Sequence, residues 1–146
     1  MQNFLKTYKP KIICLDPYKI IPFHKTFNFN FGIFYDYLLN VYVPPIPIIR
    51  APFDLKKFGE YVNYNGHHRT LAAKRVKDIK KDFLVSCIVL DNLEDILYLK
   101  ENPNKYKGEV YSELIDFLEL TFEAHRDFVW NEARRFKELE ALEKNQ

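Results

Sequence analysis

One glycine, Gly66, marks a change of periodicity that restricts the chain to folds in which a strand runs directly into a helix. The residues before it alternate and include Tyr61, Val62 and Tyr64, which favour an extended strand. The residues after it place apolar side chains at helical spacing, namely Leu71, Ala72, Val76 and Ile79. The sequence therefore predicts a strand that ends at Gly66 and a helix over residues 67–79.

Short apolar runs predict further strands at residues 12–15, 19–21 and 82–90. The last run is almost entirely apolar and rich in β-branched residues, so we expect it in the interior of a sheet. Residues 43–53 are predicted to be extended. Three prolines lie within four positions of this segment, at Pro44, Pro45 and Pro47. Because proline cannot donate to a ladder, they predict a sheet edge or a strand entry.

Helical patterns predict three more helices, at residues 34–40, 92–102 and 109–143. Asn92 is expected to cap the second of these helices, with Asp95 completing a capping box. The His-Arg-Asp run at residues 125–127 is where the third pattern is expected to divide into two helices.

Composition indicates one folded domain, because 146 residues with 47% hydrophobic content can bury a sizeable core and argue against disorder. No apolar run approaches the roughly 18 residues of a membrane span. The N-terminal residues lack the apolar stretch of a secretion signal, so a cytoplasmic protein without membrane contact is expected.

The two cysteines, Cys14 and Cys87, lie in apolar strand-like runs and are predicted to be buried thiols. A disulfide between them would be unusual in a reducing cytosol. No metal site is predicted, because the chain has no Cys-x-x-Cys pair and because the neighbouring His67 and His68 would point about 100° apart on a helix.

Charge is distributed unevenly along the chain. Residues 1–81 carry 14 Lys or Arg against 5 Asp or Glu, whereas residues 82–146 carry 8 against 15. The basic part suits an anionic ligand, and the acidic part is typical of solvated helix faces.

The junction itself has the chemistry of an anion site. The first N–H groups of a helix have no internal partner, and Gly66 permits a sharp turn and a close approach of a ligand. His68 and Arg69 are predicted to contact a phosphate, with supporting hydrogen bonds from His67 and Thr70. Lys74, four residues after Thr70, is expected to reach the same side.

The segment VNYNGHHRTLAAKRV, together with ICLDPYKIIP and PPIPII upstream, resembles the ParB/sulfiredoxin-like superfamily over residues 12–90. The resemblance implies an α+β (or α/β) fold, with a small mixed sheet and helices in a domain over residues 1–100. A helical C-terminal extension over residues 101–146 would follow it. It also implies that a nucleotide, as the triphosphate or diphosphate with Mg²⁺, binds at residues 65–70, which adds Asn65 to the site.

The resemblance leaves several functions open. ParB proteins bind CTP and DNA, and their phosphate-binding motif reads Gly-Glu-Arg-Arg, of which Gly66 and Arg69 match. The cysteine of sulfiredoxins is His67 here, which excludes that chemistry. Free-serine kinases carry Asp-Gly-His-His-Arg, but the amide of Asn65 cannot act as a general base.

We therefore expect a ParB-like nucleotide- or phosphate-binding protein, DNA-associated or nuclease-like. The alternatives are a small-molecule phosphotransferase and an interaction module without catalysis. The weak catalytic candidates are Asp54, Glu60 and His67. Enzymatic activity is left undecided.

Two surfaces are candidates for partners. The basic residues of the helix after Gly66 are potential DNA contacts, namely Lys74, Arg75, Lys77, Lys80 and Lys81. The aromatic residues of the last helix are expected to pack against the domain or to pair two copies in a homodimer, namely Phe128, Trp130 and Phe136.

Overall fold

The computed structural model describes residues 8–25, 28–102 and 121–145, and all structural statements refer to these residues. The five strands of this part of the chain are β1 (Lys11–Leu15), β2 (Ile20–Ile21), β3 (Ile46–Arg50), β4 (Tyr61–Asn63) and β5 (Val85–Val89). Its four α-helices are α1 (Phe31–Leu38), α2 (His67–Ile79), α3 (Leu93–Glu101) and α4 (Phe122–Lys144). Two single turns of 3₁₀-helix lie at Pro17–Lys19 and Phe53–Leu55.

The strands form one mixed sheet in the order β1-β5-β3-β4-β2. β5 pairs antiparallel with β1 and parallel with β3, while β4 pairs antiparallel with β3 and parallel with β2. The expected mixed α+β architecture and the interior position of β5 are thus confirmed.

Helices cover both faces of the sheet. On one face, α1 and α2 bury a cluster with the strands that includes Tyr37, Ile48, Ala72 and Val76. On the other face, α3 and α4 bury a second cluster that includes Ile49, Ile96, Val129 and Ala133. Alternate residues of β3, such as Ile48 and Ile49, therefore contribute to opposite cores, as the pleat of a strand requires.

The prolines before and within β3 do not place it at an edge, because β3 is the middle strand of the sheet. The missing N–H of Pro47 is tolerated because β4 ends beside it. The Pro47 carbonyl accepts hydrogen bonds from the N–H groups of Tyr64 and Asn65, just beyond the last residue of β4. Only one ladder bond at the end of a short strand is lost.

The structure also corrects three local predictions. α4 continues without a break through residues 125–127, while residues 109–120 of the predicted helix lie outside the described residues. α1 begins at Phe31 rather than at Phe34, because the Asn30 side chain caps it by accepting from the Ile33 N–H. Cys14 is exposed, whereas Cys87 is buried as expected.

Cys14 pairs with Ser86 in the ladder, and Cys87 pairs with Ile13, so the two thiols project from opposite faces of the sheet. This arrangement does not allow a disulfide between them. Among the described helices, none has the length and apolar character needed to cross a bilayer.

Candidate functional site

Three chain segments meet at the start of α2. β4 leads into α2 through Asn65 and Gly66. β2, the parallel neighbour of β4, ends beside this connection, and the chain continues from it to Phe23. β3, the antiparallel neighbour of β4, begins beside the same connection and is preceded by Pro44 and Pro45. The sheet pairing therefore assembles the surroundings of Gly66 from segments about 20 residues apart in sequence.

Gly66 precedes α2 in the left-handed conformation, with φ 86° and ψ 38°. L residues other than glycine rarely adopt this conformation, which explains the glycine. No side chain caps the helix, and within the first turn the Thr70 N–H reaches the Gly66 carbonyl at 2.9 Å. The N–H groups of residues 67–69 are therefore the free donors of the helix start.

Arg69 folds back beneath this turn and is only 4% exposed. Its Nη1 donates to the carbonyls of Pro44 and Pro45, at 3.0 and 2.9 Å. A Cβ on Gly66 would lie 3.1 Å from both Nε and Nη2 and 3.2 Å from Cζ, so the guanidinium packs closely against the glycine. The Gly66 corner, which is Gly66 together with the first turn of α2, thus consists mainly of a backbone turn with the Arg69 side chain beneath it.

The Nε–Nη2 edge of Arg69 has no hydrogen-bond partner among the described residues. Burial lowers the pKa of this guanidinium, and the groups that act against that shift are Tyr37, Cys87 and Tyr42. No carboxylate of the described residues pairs with it. Arginine nevertheless keeps its charge, so the corner holds a buried cation without an internal counter-ion.

His67 is buried and serves the packing of the junction. Its Nε2 accepts from the Phe23 N–H at 3.3 Å, and its ring stacks on His24 with centroids 3.8 Å apart. Burial, followed by the nearby His24, lowers the pKa of His67 to about 3. The ring is therefore neutral at pH 7, with its proton on Nδ1.

His68 is exposed on the first turn of α2, and its Nδ1 lies 3.1 Å from the Asn28 carbonyl. With Nδ1 donating to that carbonyl, Nε2 is the ring atom that faces away from Asn28. Of the two adjacent histidines, His68 is thus the one that a ligand can reach.

Thr70 and Asn65 have their polar groups engaged by the protein. The Thr70 hydroxyl donates to the Gly66 carbonyl at 3.1 Å and accepts from Asn63 Nδ2 at 2.7 Å. The side-chain oxygen of Asn65 accepts from the Gly66 N–H at 2.7 Å. These contacts hold the turn in shape, and sequence reasoning missed Asn63, a buried polar residue inside β4 that offered a signal.

The acidic catalytic candidates lie elsewhere. Asp54 forms a two-pronged ion pair with Arg134 of α4, at 2.6 and 3.0 Å, which lowers the pKa of Asp54. Glu60 lies before the first residue of β4, at the opposite end of that strand from Gly66, and is 3.6 Å from Lys19. Neither carboxylate belongs to the corner.

Lys74 lines a cavity of about 150 Å³ between α2 and α4, together with His67, Thr70 and Glu140. Burial and the neighbouring Lys137 lower the pKa of its ammonium to about 8. Lys74 therefore faces α4 from the flank of α2, rather than the first turn that carries Gly66 and Arg69.

The other basic residues of α2 are largely used within the fold. Lys77 donates to the Phe83 carbonyl and Lys80 donates to the Leu38 carbonyl. Arg75 remains exposed. Among the described residues, no three histidine, cysteine or acidic side chains come together as a metal site.

The aromatic residues of α4 mostly pack on their own chain. Trp130 donates its indole N–H to the Arg50 carbonyl at 3.0 Å, and Phe136 packs against the core, whereas Phe128 is 38% exposed. Of the two alternatives, packing against the domain holds for Trp130 and Phe136, and the homodimer stays a prediction.

Comparison with protein-family models gives no match, and comparison with curated protein sequences gives none either. The function is therefore argued from the geometry of the corner.

Proposed function

We propose that this protein binds a nucleotide through its phosphate groups at the Gly66 corner. The observation that carries the proposal is Arg69, a buried cation without a carboxylate partner among the described residues, whose guanidinium packs against Gly66 and whose Nε–Nη2 edge has no partner there. The ligand phosphate would lie over Gly66 and accept from this edge and from the N–H groups of residues 67–69.

The energetic argument begins with desolvation. Removing a charged group from water costs several kcal/mol unless the group is paired. Removing one partner of a buried ion pair lowers the stability of a protein by roughly 3 to 5 kcal/mol. The two proline carbonyls satisfy Nη1 alone. A phosphate would complete the pairing with two parallel charge-assisted bonds, the geometry for which a guanidinium is suited.

The helix start adds a second attraction. Free N–H groups and the partial positive charge at a helix N-terminus both favour an anion. His68 stands beside them on the same turn, and its exposed ring is within reach of a ligand at the helix start. Because Gly66 has no side chain, a ligand oxygen can approach the backbone closely.

Binding is better supported than phosphoryl transfer. Transfer requires an acidic group or another base near the phosphate, and Asp54 and Glu60 lie away from the corner. His67 is a poor base, since its Nε2 already accepts from Phe23 and its pKa lies at about 3. Magnesium would be bound by the nucleotide phosphates. These contacts give no support to the phosphotransferase and nuclease-like alternatives.

A nucleotide, rather than free phosphate, follows from the resemblance of residues 12–90 to the ParB/sulfiredoxin-like superfamily. Association with DNA through α2 is less favoured, because Lys77 and Lys80 are bound to carbonyls of the same chain. The interaction module without catalysis stays an alternative.

Calorimetric titration of the protein with the four nucleoside triphosphates, each with Mg²⁺, tests the proposal. We expect saturable binding, and we expect Arg69→Gln to weaken it by about 10- to 100-fold, since hydrogen bonds to charged groups contribute about 1.5–3 kcal/mol. Arg135→Gln is the matched control, because Arg135 is a 73% exposed arginine of α4. Circular dichroism establishes that each variant is folded.

Because Arg69 is buried, His68→Ala provides a second, exposed substitution at the same turn. It should weaken triphosphate binding several-fold and leave the fold unchanged. Absence of binding to the unmodified protein at millimolar nucleotide would refute the proposal. Unchanged affinity in a folded Arg69→Gln protein would also refute it.

A further inference from the structure

A groove of about 600 Å³ runs between α1 and α2. Three phenylalanines from the start of α1 form one wall, namely Phe29, Phe31 and Phe34. The other wall is one face of α2 and includes Leu71, Arg75 and Ile79. This groove adjoins the cavity that Lys74 lines, and Leu71 contributes to both.

The groove continues the helix face that begins at His68. Leu71 and Arg75 follow His68 by three and seven residues, which places all three on one side of α2. The other wall is tied to the same histidine, because the Asn28 carbonyl next to Phe29 contacts His68 Nδ1. From Gly66 to Leu71 the helix rises about 7.5 Å, so the near end of the groove lies within one nucleotide of the corner.

The phenylalanine wall offers aromatic surface to a ligand. The Phe29 ring meets Phe31 edge-on with centroids 4.9 Å apart, and it lies 5.5 Å from Phe34. Phe31 is 63% exposed, and Ile79 on the facing wall is 62% exposed. Apolar side chains that remain this exposed on both sides of a groove gain free energy when a flat apolar group covers them.

The rim carries polar groups of both signs. The Arg75 side chain is 63% exposed, and its Nη1 lies 4.0 Å from an oxygen of Asp78, which also lines the groove. The other Asp78 oxygen accepts from the Tyr18 hydroxyl at 2.5 Å and is held in place. Arg75 thus offers donors, and Asp78 an acceptor, to the edge of a ligand in the groove.

We infer that this groove holds the base of the nucleotide whose phosphates occupy the Gly66 corner, an inference that rests on the proposed function. The occupant is an aromatic heterocycle that stacks on Phe31 and places its polar edge against Arg75 and Asp78. The sugar of the nucleotide spans the distance between the groove and the Gly66 corner, beside His68. Stacking on Phe31 does not discriminate between the bases. Hydrogen bonds from the base edge to Arg75 and Asp78 provide the preference among them.

The test compares inorganic tripolyphosphate with each nucleoside triphosphate, all with Mg²⁺, by calorimetry on the full chain. We expect the preferred nucleotide to bind at least tenfold more tightly than tripolyphosphate, in line with base–aromatic stacking. Phe31→Ala should remove most of that advantage and leave tripolyphosphate affinity unchanged. Phe53→Ala is the matched control, because Phe53 is a 93% exposed phenylalanine outside the groove.

Arg75→Ala sharpens the test, because it should reduce the difference among the four bases rather than the affinity for tripolyphosphate. Equal affinities for tripolyphosphate and all four nucleotides, insensitive to Phe31→Ala, would overturn the inference and leave the phosphate site intact. Absence of binding by every ligand would remove both proposals. A change of oligomeric state in Phe31→Ala, with nucleotide affinity unchanged, would assign the groove to a second copy of the chain and also overturn the inference.

Discussion

The starts of α2 and α3 follow β4 and β5, the two strands that flank β3 in the sheet, yet their first N–H groups have different partners. At α3, Asn92 accepts from the Asp95 N–H, and Asp95 Oδ2 accepts from the N–H groups of Asp91 and Asn92. The Tyr8 hydroxyl also donates to this carboxylate. At α2, no side chain caps the helix.

The difference lies in the sign of the buried charge. Asp95 is 3% exposed and supplies α3 with its own anion, whereas Arg69 is 4% exposed and places a cation under the start of α2. A carboxylate at a helix N-terminus is stabilised by the N–H groups around it, while a guanidinium there is not. α3 therefore carries its own anion at its start, whereas the start of α2 has none among the described residues.

Removal of the internal anion of α3 should have the largest effect on stability. Asp95→Ala deletes the acceptor of two backbone N–H groups, so we expect the free energy of unfolding to fall by about 2–3 kcal/mol. Urea unfolding measures it, with the exposed neighbour Glu94→Ala as control. Nucleotide affinity of the folded variant should not change, and a parallel loss of affinity would contradict the separation of the two helix starts.

Acid should destabilise the α2 junction through His67. Its folded-state pKa of about 3 lies below the ordinary value of about 6.5, so the unfolded chain takes up the proton first. The contribution of His67 is complete above about pH 6.5 and is lost as the pH falls towards 3, at about 1 kcal/mol per pH unit.

Urea unfolding between about pH 4.5 and 7 measures this loss, and His67→Gln should flatten the dependence because glutamine does not titrate. His125, whose pKa burial also lowers, contributes equally to both proteins and cancels from the comparison. His68→Gln, at an exposed position, is the control, and identical slopes for His67→Gln and the unmodified protein would show that His67 is not held neutral by the fold.

Gly66→Ala should cost about 1–2 kcal/mol, because an L residue is strained at a φ of 86°. The added Cβ would also lie 3.1 Å from Nε and Nη2 of Arg69 and so displace the guanidinium. Gly32→Ala in α1 serves as control, since Gly32 has no positive φ. Thermal unfolding and nucleotide titration should both respond at Gly66, and equal responses at the two glycines would argue against a special role for the turn.

A carboxylate placed on the first turn of α2 should make this helix start resemble the start of α3. Its effect on stability should be smaller than those of the other substitutions. His68→Asp places a carboxylate on the exposed first turn and should raise the free energy of unfolding by about 0.5 kcal/mol. The same carboxylate should weaken triphosphate binding more than the neutral His68→Asn does, because it repels the ligand. Tighter binding in His68→Asp would be incompatible with an anion site at this turn.

Local patterns predicted the elements around both helix starts well. α2 has the predicted bounds, and the capping box of Asn92 and Asp95 is present. Such features depend on residues within one turn of each other, and the energies involved are intrinsic to short segments. The sequence also indicated the Gly66 turn, since a positive φ is a local requirement.

The errors concern contacts between distant segments. The prolines predict a sheet edge or a strand entry. Pro44 and Pro45 do lie at the entry to β3, but Pro47 lies inside this middle strand because β4 ends where a donor would be needed. The sequence predicts a supporting hydrogen bond from His67 to a phosphate, and it does not indicate that the return of the chain after β2 brings Phe23 and His24 against the His67 ring. No pattern along the chain reports which strand will lie beside another.

By itself, the sequence determined where a strand stops, where a helix begins and that an arginine and two histidines stand on its first turn. Tertiary structure decided that Arg69 is buried on two proline carbonyls, that His67 belongs to the interior and that His68 faces outwards. The physical reason is that conformational preference acts over a few residues, whereas desolvation and charge pairing depend on whichever segments the sheet brings together.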